Sequence, residues 1–248
     1  MKSITVFSLL LLPLLLTAQN QGEVQYVETV QFQFEAPEGQ EDLHKMLPSS
    51  QSSPYVLFFT EKASLYKEME QDAAAAAPQE WTASEGNTTM KVVIARPDNR
   101  MYKDLAEGRK TEQREFFGRK FLIQDELDAF SWKLTGEQKT LLEYPCFRAV
   151  HEEEDRVVEA WFTPQIPVST GPGIYGQLPG MVLEVSVNDG QRKIQATKVT
   201  LTEVSADQLE KPKKGKEVTQ EEFDQIEAEK MKEMEEQGGG RMMIRIGN

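Results

Sequence analysis

From residue 21 to residue 35 the chain alternates. Val24, Tyr26, Val30, Phe32 and Phe34 fall on one face, and Gln25, Gln31, Gln33 and Glu35 on the other. A period of two carried by aromatic and β-branched residues predicts a half-buried strand. The compact apolar run 55–59 predicts a second strand, and 63–66 continues the same sheet. The Pro-, Gly-, Glu- and Ser-rich stretch 36–53 reads as a loop with one helical turn at 43–47. Residues 67–89 read as a mobile excursion. Their alanine run, Ala73 to Ala77, favours helix but is too short to hold one alone.

Beyond residue 90 the strand signals crowd together. Segments 91–95 and 101–105 flank the turn signal Pro97-Asp98-Asn99, and 111–117 meets 120–124 across Gly118-Arg119. Phe130, Trp132 and Leu134 alternate on a further strand, after which Thr135-Gly136-Glu137 turns the chain. Segments 141–150 and 156–163 flank an acidic tip, Glu152 to Asp155, which is most simply a solvated turn. Segment 181–187 pairs with 193–204 across Asn188-Asp189-Gly190, a sequence suited to a hairpin. Short strands on short turns, with no periodic helix among them, predict a mainly β fold over residues 20–205: a curved antiparallel sheet or incomplete barrel.

Residues 206–248 change character. A basic linker, 211–216, leads to Thr219-Gln220-Glu221-Glu222, which has capping-box spacing. Phe223, Ile226, Met231 and Met234 leave only a thin apolar stripe, and Gly238-Gly239-Gly240 stops the pattern. This predicts a charged helical tail, partly disordered, that packs weakly if at all.

The densest group of glycines and prolines in the strand-rich region lies at 171–180, with Gly171, Pro172, Tyr175, Leu178, Pro179 and Gly180. Glycine opens backbone angles closed to other residues and proline fixes φ, so this is a shaped crossing loop. One reading is structural: Ile174, Tyr175 and Leu178 pin the loop to the core. Leu178-Pro179-Gly180 then forms a corner that delivers Met181, Leu183, Val185 and Val187 in register. The other makes the loop the rim of a ligand or partner site.

The N-terminus gives an address. Lys2 precedes an apolar run from Ile4 to Leu16, broken only by Ser8 and Pro13, and Thr17-Ala18-Gln19 is a small or polar cleavage region. This pattern over 1–19 predicts a secretory signal peptide, being shorter than the ~20 residues a spanning helix needs. No later segment is apolar enough to span. The formal net charge of −13, with no basic stripe, excludes nucleic acid and acidic lipid surfaces as natural partners. Cys146 is the only cysteine, so no intrachain disulfide forms.

Three blocks then precede the crossing loop: Phe130-Ser131-Trp132-Lys133-Leu134-Thr135, Tyr144-Pro145-Cys146-Phe147-Arg148-Ala149, and Ala160-Trp161-Phe162-Thr163-Pro164-Gln165-Ile166-Pro167. With Gly171-Pro172 and Gln177-Leu178-Pro179-Gly180-Met181-Val182, this succession resembles the GLPGLI family of bacterial envelope proteins over about 116–201. Gln177 replaces the first glycine of the signature, and Met181 and Val182 replace its Leu and Ile, while Leu178-Pro179-Gly180 is intact. The resemblance implies a protein exported to the periplasm or envelope of a double-membraned bacterium, and no reaction.

Candidate chemistry is sparse. His44 and His151 are the only histidines. Cys146 and His151 are five positions apart, which on one unbroken strand puts them on opposite faces and leaves Cys146 as a small core residue. One cysteine and two histidines are too few for zinc, and the glycine-rich loop lacks the Lys-Ser/Thr pair of a phosphate cradle, so no cofactor and no metal is expected. Met231, Met234, Met242 and Met243 leave open a soft-metal (copper) site on the tail, or simply adaptable apolar residues. Trp132 and Trp161 join Cys146 as further candidates on the strands. Asn87-Thr88-Thr89 matches a glycosylation acceptor. The reading is an exported, non-enzymatic binding module for a hydrophobic or peptide ligand or another envelope protein. The alternative is a carboxylate-using hydrolase acting on cell-wall or glycan substrates.

Overall fold

The computed structural model describes residues 20–32, 48–70, 79–85, 88–94 and 97–236. The signal segment, His44, the alanine run, Asn87, Met242 and Met243 lie outside them. The described chain is mainly β. Its strands are β1 (Gly22–Gln31), β2 (Ser50–Phe59), β3 (Ala63–Glu68), β4 (Gln79–Glu85), β5 (Thr88–Ile94), β6 (Arg100–Asp104) and β7 (Arg109–Phe116). They continue with β8 (Arg119–Glu126), β9 (Lys133–Leu141), β10 (Tyr144–Glu153), β11 (Arg156–Thr163), β12 (Met181–Val187), β13 (Arg192–Leu201) and β14 (Lys216–Val218). One helix, α1 (Gln220–Glu236), follows.

Twelve strands form one open, curved sheet in the order β14-β8-β7-β6-β3-β2-β1-β13-β12-β11-β10-β9, antiparallel except where β14 runs parallel to β8. The longest-range pairing joins β1 to β13, Gly22 opposite Leu201 and Val30 opposite Arg192. That pairing joins one half of the sheet, β1, β2, β3, β6, β7 and β8 with β14 at its edge, to the other, β9 to β13. The sheet curls until the halves meet: the Tyr26 hydroxyl of β1 donates to Val182 O of β12 at 2.6 Å. Val24, Tyr26, Leu57, Val158 and Ile194 are fully buried between them. No helix among the described residues is long and apolar enough to cross a membrane.

Several expectations change. The segment read as an excursion contains β4, which pairs with β5 as a separate two-stranded sheet, Gln79 opposite Ile94. Residues 91–94 therefore do not pair with β6, whose neighbours are β3 and β7. Phe130 and Trp132 precede β9 rather than lying on a strand; their rings stack 5.1 Å apart, while Leu134 is 62% exposed. Thr135-Gly136-Glu137 is a bulge inside β9, with Gly136 at φ 82°, where the register to β10 shifts between Phe147 and Ala149. The turn comes later, at Leu142 and Glu143, both at positive φ.

The tail also differs. Its capping box is as expected, with Thr219 N donating to Glu222 Oε2 at 2.9 Å and Glu222 N to Thr219 Oγ1 at 3.2 Å. The helix does not pack weakly, however. Phe223 is fully buried against Phe121, Ile123 and Val218, and the Arg114 guanidinium lies 4.8 Å from its ring centre. Phe223, with Ile226 beside it, docks the helix because β14 brings the chain back beside β8 immediately before α1.

Candidate functional site

The crossing loop, 164–180, joins β11 to β12 and reaches the opposite half of the sheet. Thr170 Oγ1 lies 2.8 Å from Ser64 Oγ of β3, and Lys103 Nζ of β6 donates to Gly171 O and Tyr175 O. Within the loop, Thr170 and Gly176 form a bridge and Tyr175 N donates to Pro172 O at 3.1 Å, closing a tight turn with Gly173 at φ 53°. Tyr175 and Leu178 are buried, and Ile174 packs against the core. Tyr175 has no accessible surface, and its hydroxyl accepts from Arg156 Nη2 at 2.9 Å. Gly180 has φ 147°, and a Cβ there would lie 2.1 Å from Thr163 O. A Cβ on Gly171 would lie 2.6 Å from Val182 Cβ. Pro172 is buried and Pro179 exposed. The strand so delivered is not a simple alternation. The β11–β12 register skips Leu183, and Met181 through Val185 are all buried.

The remaining sequence candidates make contacts within the fold. Trp132 donates its indole N–H to Gly176 O at 3.0 Å, tying the segment before β9 to the loop. Trp161 carries the Lys139 ammonium 4.2 Å from its ring centre, and Lys139 in turn pairs with Glu184 at 2.9 Å. Cys146 is buried, its thiol on Tyr144 O, and burial pushes its pKa up to about 11. His151 takes different partners: Nδ1 accepts from Ser131 N at 3.1 Å, and Nε2 lies 3.2 Å from Glu153. The two form no nucleophile–base pair.

What the loop borders is a cleft of ≈ 540 Å³, open mouth included, lined by both charged and apolar side chains. Gly173 and Ile174 give one wall. Apart from Asn99, just before β6, the rest comes from six consecutive strands: Glu112 and Arg114 of β7, Arg100 and Met101 of β6, Tyr66 of β3, Tyr55 of β2, Glu28 of β1 and Arg192 of β13. Tyr55 and Tyr66 stack, centres 4.8 Å apart and planes 5° from parallel. The charges come in pairs. Arg114 grips Glu112 through Nε and Nη2 at 2.7 and 2.8 Å, and Arg192 Nε meets Glu28 Oε1 at 2.9 Å. Burial pulls the Arg192 guanidinium down, but the Glu28 charge and hydrogen bond, together with Tyr175 and Tyr66, outweigh it and raise it. Arg100 pairs with Asp98 at 2.8 Å. There, burial raises the carboxyl, but the bonds from Lys120 and Arg100 outweigh it and lower it to about 2. The Tyr66 hydroxyl is buried with no hydrogen-bond partner among the described residues, and burial, then the Glu28 charge, holds it well above the usual tyrosine value.

Sequence reasoning missed every side chain of this cleft except those on the loop. A signal was present in β1, where Glu28 shares parity with Val24 and Tyr26 and so occupies the inward face. A charge at an inward position marks either a pair or a site.

Residues 91–225 match the family described as "N-glycanase peptide, N-terminal domain" (PNGase_F-II_N). No curated protein matches the chain. Two solved structures of PNGF-II, in the P21 and C2 space groups, share the fold with TM-scores of 0.55 and 0.56 at 16% and 18% identity. Each match covers 83% of this chain and 32% of the other, so the chain spans about a third of the length of those structures. With more than half of its residues inside the family match, the chain belongs to the N-glycanase N-terminal domain family.

Proposed function

We propose that this chain is an exported, non-enzymatic binding module whose cleft takes a hydroxyl-rich ligand, the saccharide part of a glycoprotein. The observation that carries the reading is the cleft lining: two guanidinium–carboxylate pairs around a pair of stacked tyrosines. Such pairs offer fixed donors and acceptors side by side, which suits neighbouring hydroxyls, and aromatic faces suit the apolar side of a sugar ring. A purely hydrophobic ligand would desolvate these ion pairs without offering their remaining donors and acceptors a hydrogen bond. Membership of an N-glycanase domain family supports the same ligand class. The hydrolase alternative is less well served. Glu28 and Glu112 are each held by a guanidinium, not set in the apolar surroundings a general acid needs.

Export rests on the N-terminal segment and on the GLPGLI resemblance, whose span lies inside the family match. The N-terminus of the mature protein, read by sequencing, should fall within residues 19–21; an intact Met1 on the protein in envelope fractions would overturn cleavage of the N-terminal segment. Binding is tested on an immobilised panel of neutral and acidic oligosaccharides. The folded protein should bind a subset saturably, and Tyr55→Ala should weaken binding about tenfold, or ~1.4 kcal/mol. Absence of binding to the whole panel, or unchanged affinity in both Tyr55→Ala and Glu112→Gln, would sink the assignment.

A further inference from the structure

The cleft wall made by Gly173 and Ile174 is backed by the buried side chain of Lys103. Lys103 is 3% exposed, and its Nζ donates to Gly171 O at 3.1 Å and to Tyr175 O at 2.6 Å. These carbonyls stand at the two ends of the turn that carries Gly173 and Ile174. A buried ammonium whose hydrogen bonds go to backbone carbonyls is an unusual fastening. Carbonyls carry no countercharge, so most of the cost of burying the ion stays uncompensated.

We propose that Lys103 is a proton-operated latch for this wall: its ammonium clamps the turn, and loss of the proton loosens Gly173 and Ile174. The consequence for ligand affinity rests on the cleft being the binding site.

The surroundings of Lys103 explain why the proton is easily lost. Directly opposite on β7 stands Lys110, also buried, and its Nζ takes Asp128 Oδ1 at 2.6 Å. From β3 comes only Ser64, bonded to Thr170. The loop presents carbonyls, and the Gly176 carbonyl is already taken by Trp132. Burial pulls Lys103 down to about 7; the Asp128 charge opposes the fall and the Lys110 charge adds to it. The amine therefore changes charge in the neutral range. Charge-assisted bonds are roughly twice as strong as neutral ones, so the turn is tighter when Lys103 is protonated. A pre-organised wall binds more tightly than a loose one.

The test is a pH series of proton–nitrogen correlation spectra, from mildly acidic to mildly alkaline, alongside the side-chain methylene signals of Lys103. The amides of Gly173 and Gly176 should shift with the same midpoint as Lys103 itself, near pH 7. Lys103→Met should abolish that shift. His151 packs its ring 5.9 Å from that of Trp132, which bonds Gly176 O, and so is the competing source of such a shift; with Lys103 as the cause, His151→Asn leaves the shift in place. Amides that stay still while Lys103 titrates, or that move equally in Lys103→Met, would overturn the latch. If Lys103→Met fails to fold, the coincidence of midpoints in wild type and His151→Asn decides. Affinity for the oligosaccharide panel should fall above the midpoint. A latch that titrates in a protein binding no saccharide at any pH would keep the latch and discard the saccharide reading.

Discussion

Gly180 is the residue on which the crossing loop turns. Its φ of 147° and the 2.1 Å approach of Thr163 O to a would-be Cβ mean that alanine is both strained and obstructed by backbone. Gly180→Ala should therefore cost more than the ~1 kcal/mol of an ordinary glycine replacement. Leu178→Ala removes a buried side chain and should cost about 2–5 kcal/mol. Tyr175→Ala should cost at least as much, ~3–5 kcal/mol, since the ring is fully buried; Tyr175→Phe should lose only the Arg156 bond, ~1 kcal/mol. Denaturant midpoints of the four variants check this ranking, and wild-type unfolding of Gly180→Ala would contradict the corner. The corner was legible because glycine and proline announce unusual backbone. The cleft was not, because Glu112, Arg114 and Arg192 are ordinary charged residues until the register of six strands brings them together.

At the scale of elements, local chemistry and tertiary context divide the chain. The hairpins β7–β8 and β12–β13 are turned by Phe117-Gly118 and Asn188-Asp189-Gly190, all at positive φ, and glycine or asparagine made both visible in the sequence. The β9–β10 turn uses Leu142 and Glu143, which carry no such signal, while the glycine nearby makes a bulge instead. The β-edge of the tail was hidden for a similar reason: three residues pairing in parallel with β8 are too few to show a period. Their effect is large. With β14 in place, Phe223 of α1 fills a pocket between Phe121 and Ile123, ring centres 5.3 Å apart for the two phenylalanines. Phe223→Ala should cost about 3–5 kcal/mol, and truncation before β14 should lower the melting temperature by on the order of 10 °C. A truncated protein melting with wild type would show that the tail is dispensable.

At the scale of the whole molecule, the buried ionisable groups set how stability changes with pH. Lys103 has a folded pKa of about 7 against an ordinary 10.5. Between those values the unfolded chain holds a proton that the folded chain has released, so stability rises with pH across that window. The slope for one such group is at most about 1.4 kcal/mol per pH unit. Tyr26 and Tyr66 act in the opposite sense. Burial raises both above the ordinary 10.0, so above that pH the unfolded chain loses protons that the folded chain keeps, and stability falls. On the acid side, Asp98, lowered from 3.8 to about 2, contributes stability that is lost as pH falls through that interval. Urea midpoints should therefore climb from neutral pH to a maximum on the alkaline side and decline as the tyrosines ionise. Lys103→Met should flatten the climb and leave the decline in place, because only the amine is removed. A wild-type profile that is flat or falling between neutrality and pH 10, or a climb that survives in Lys103→Met, would show that the Lys103 ammonium is not the group strained by burial.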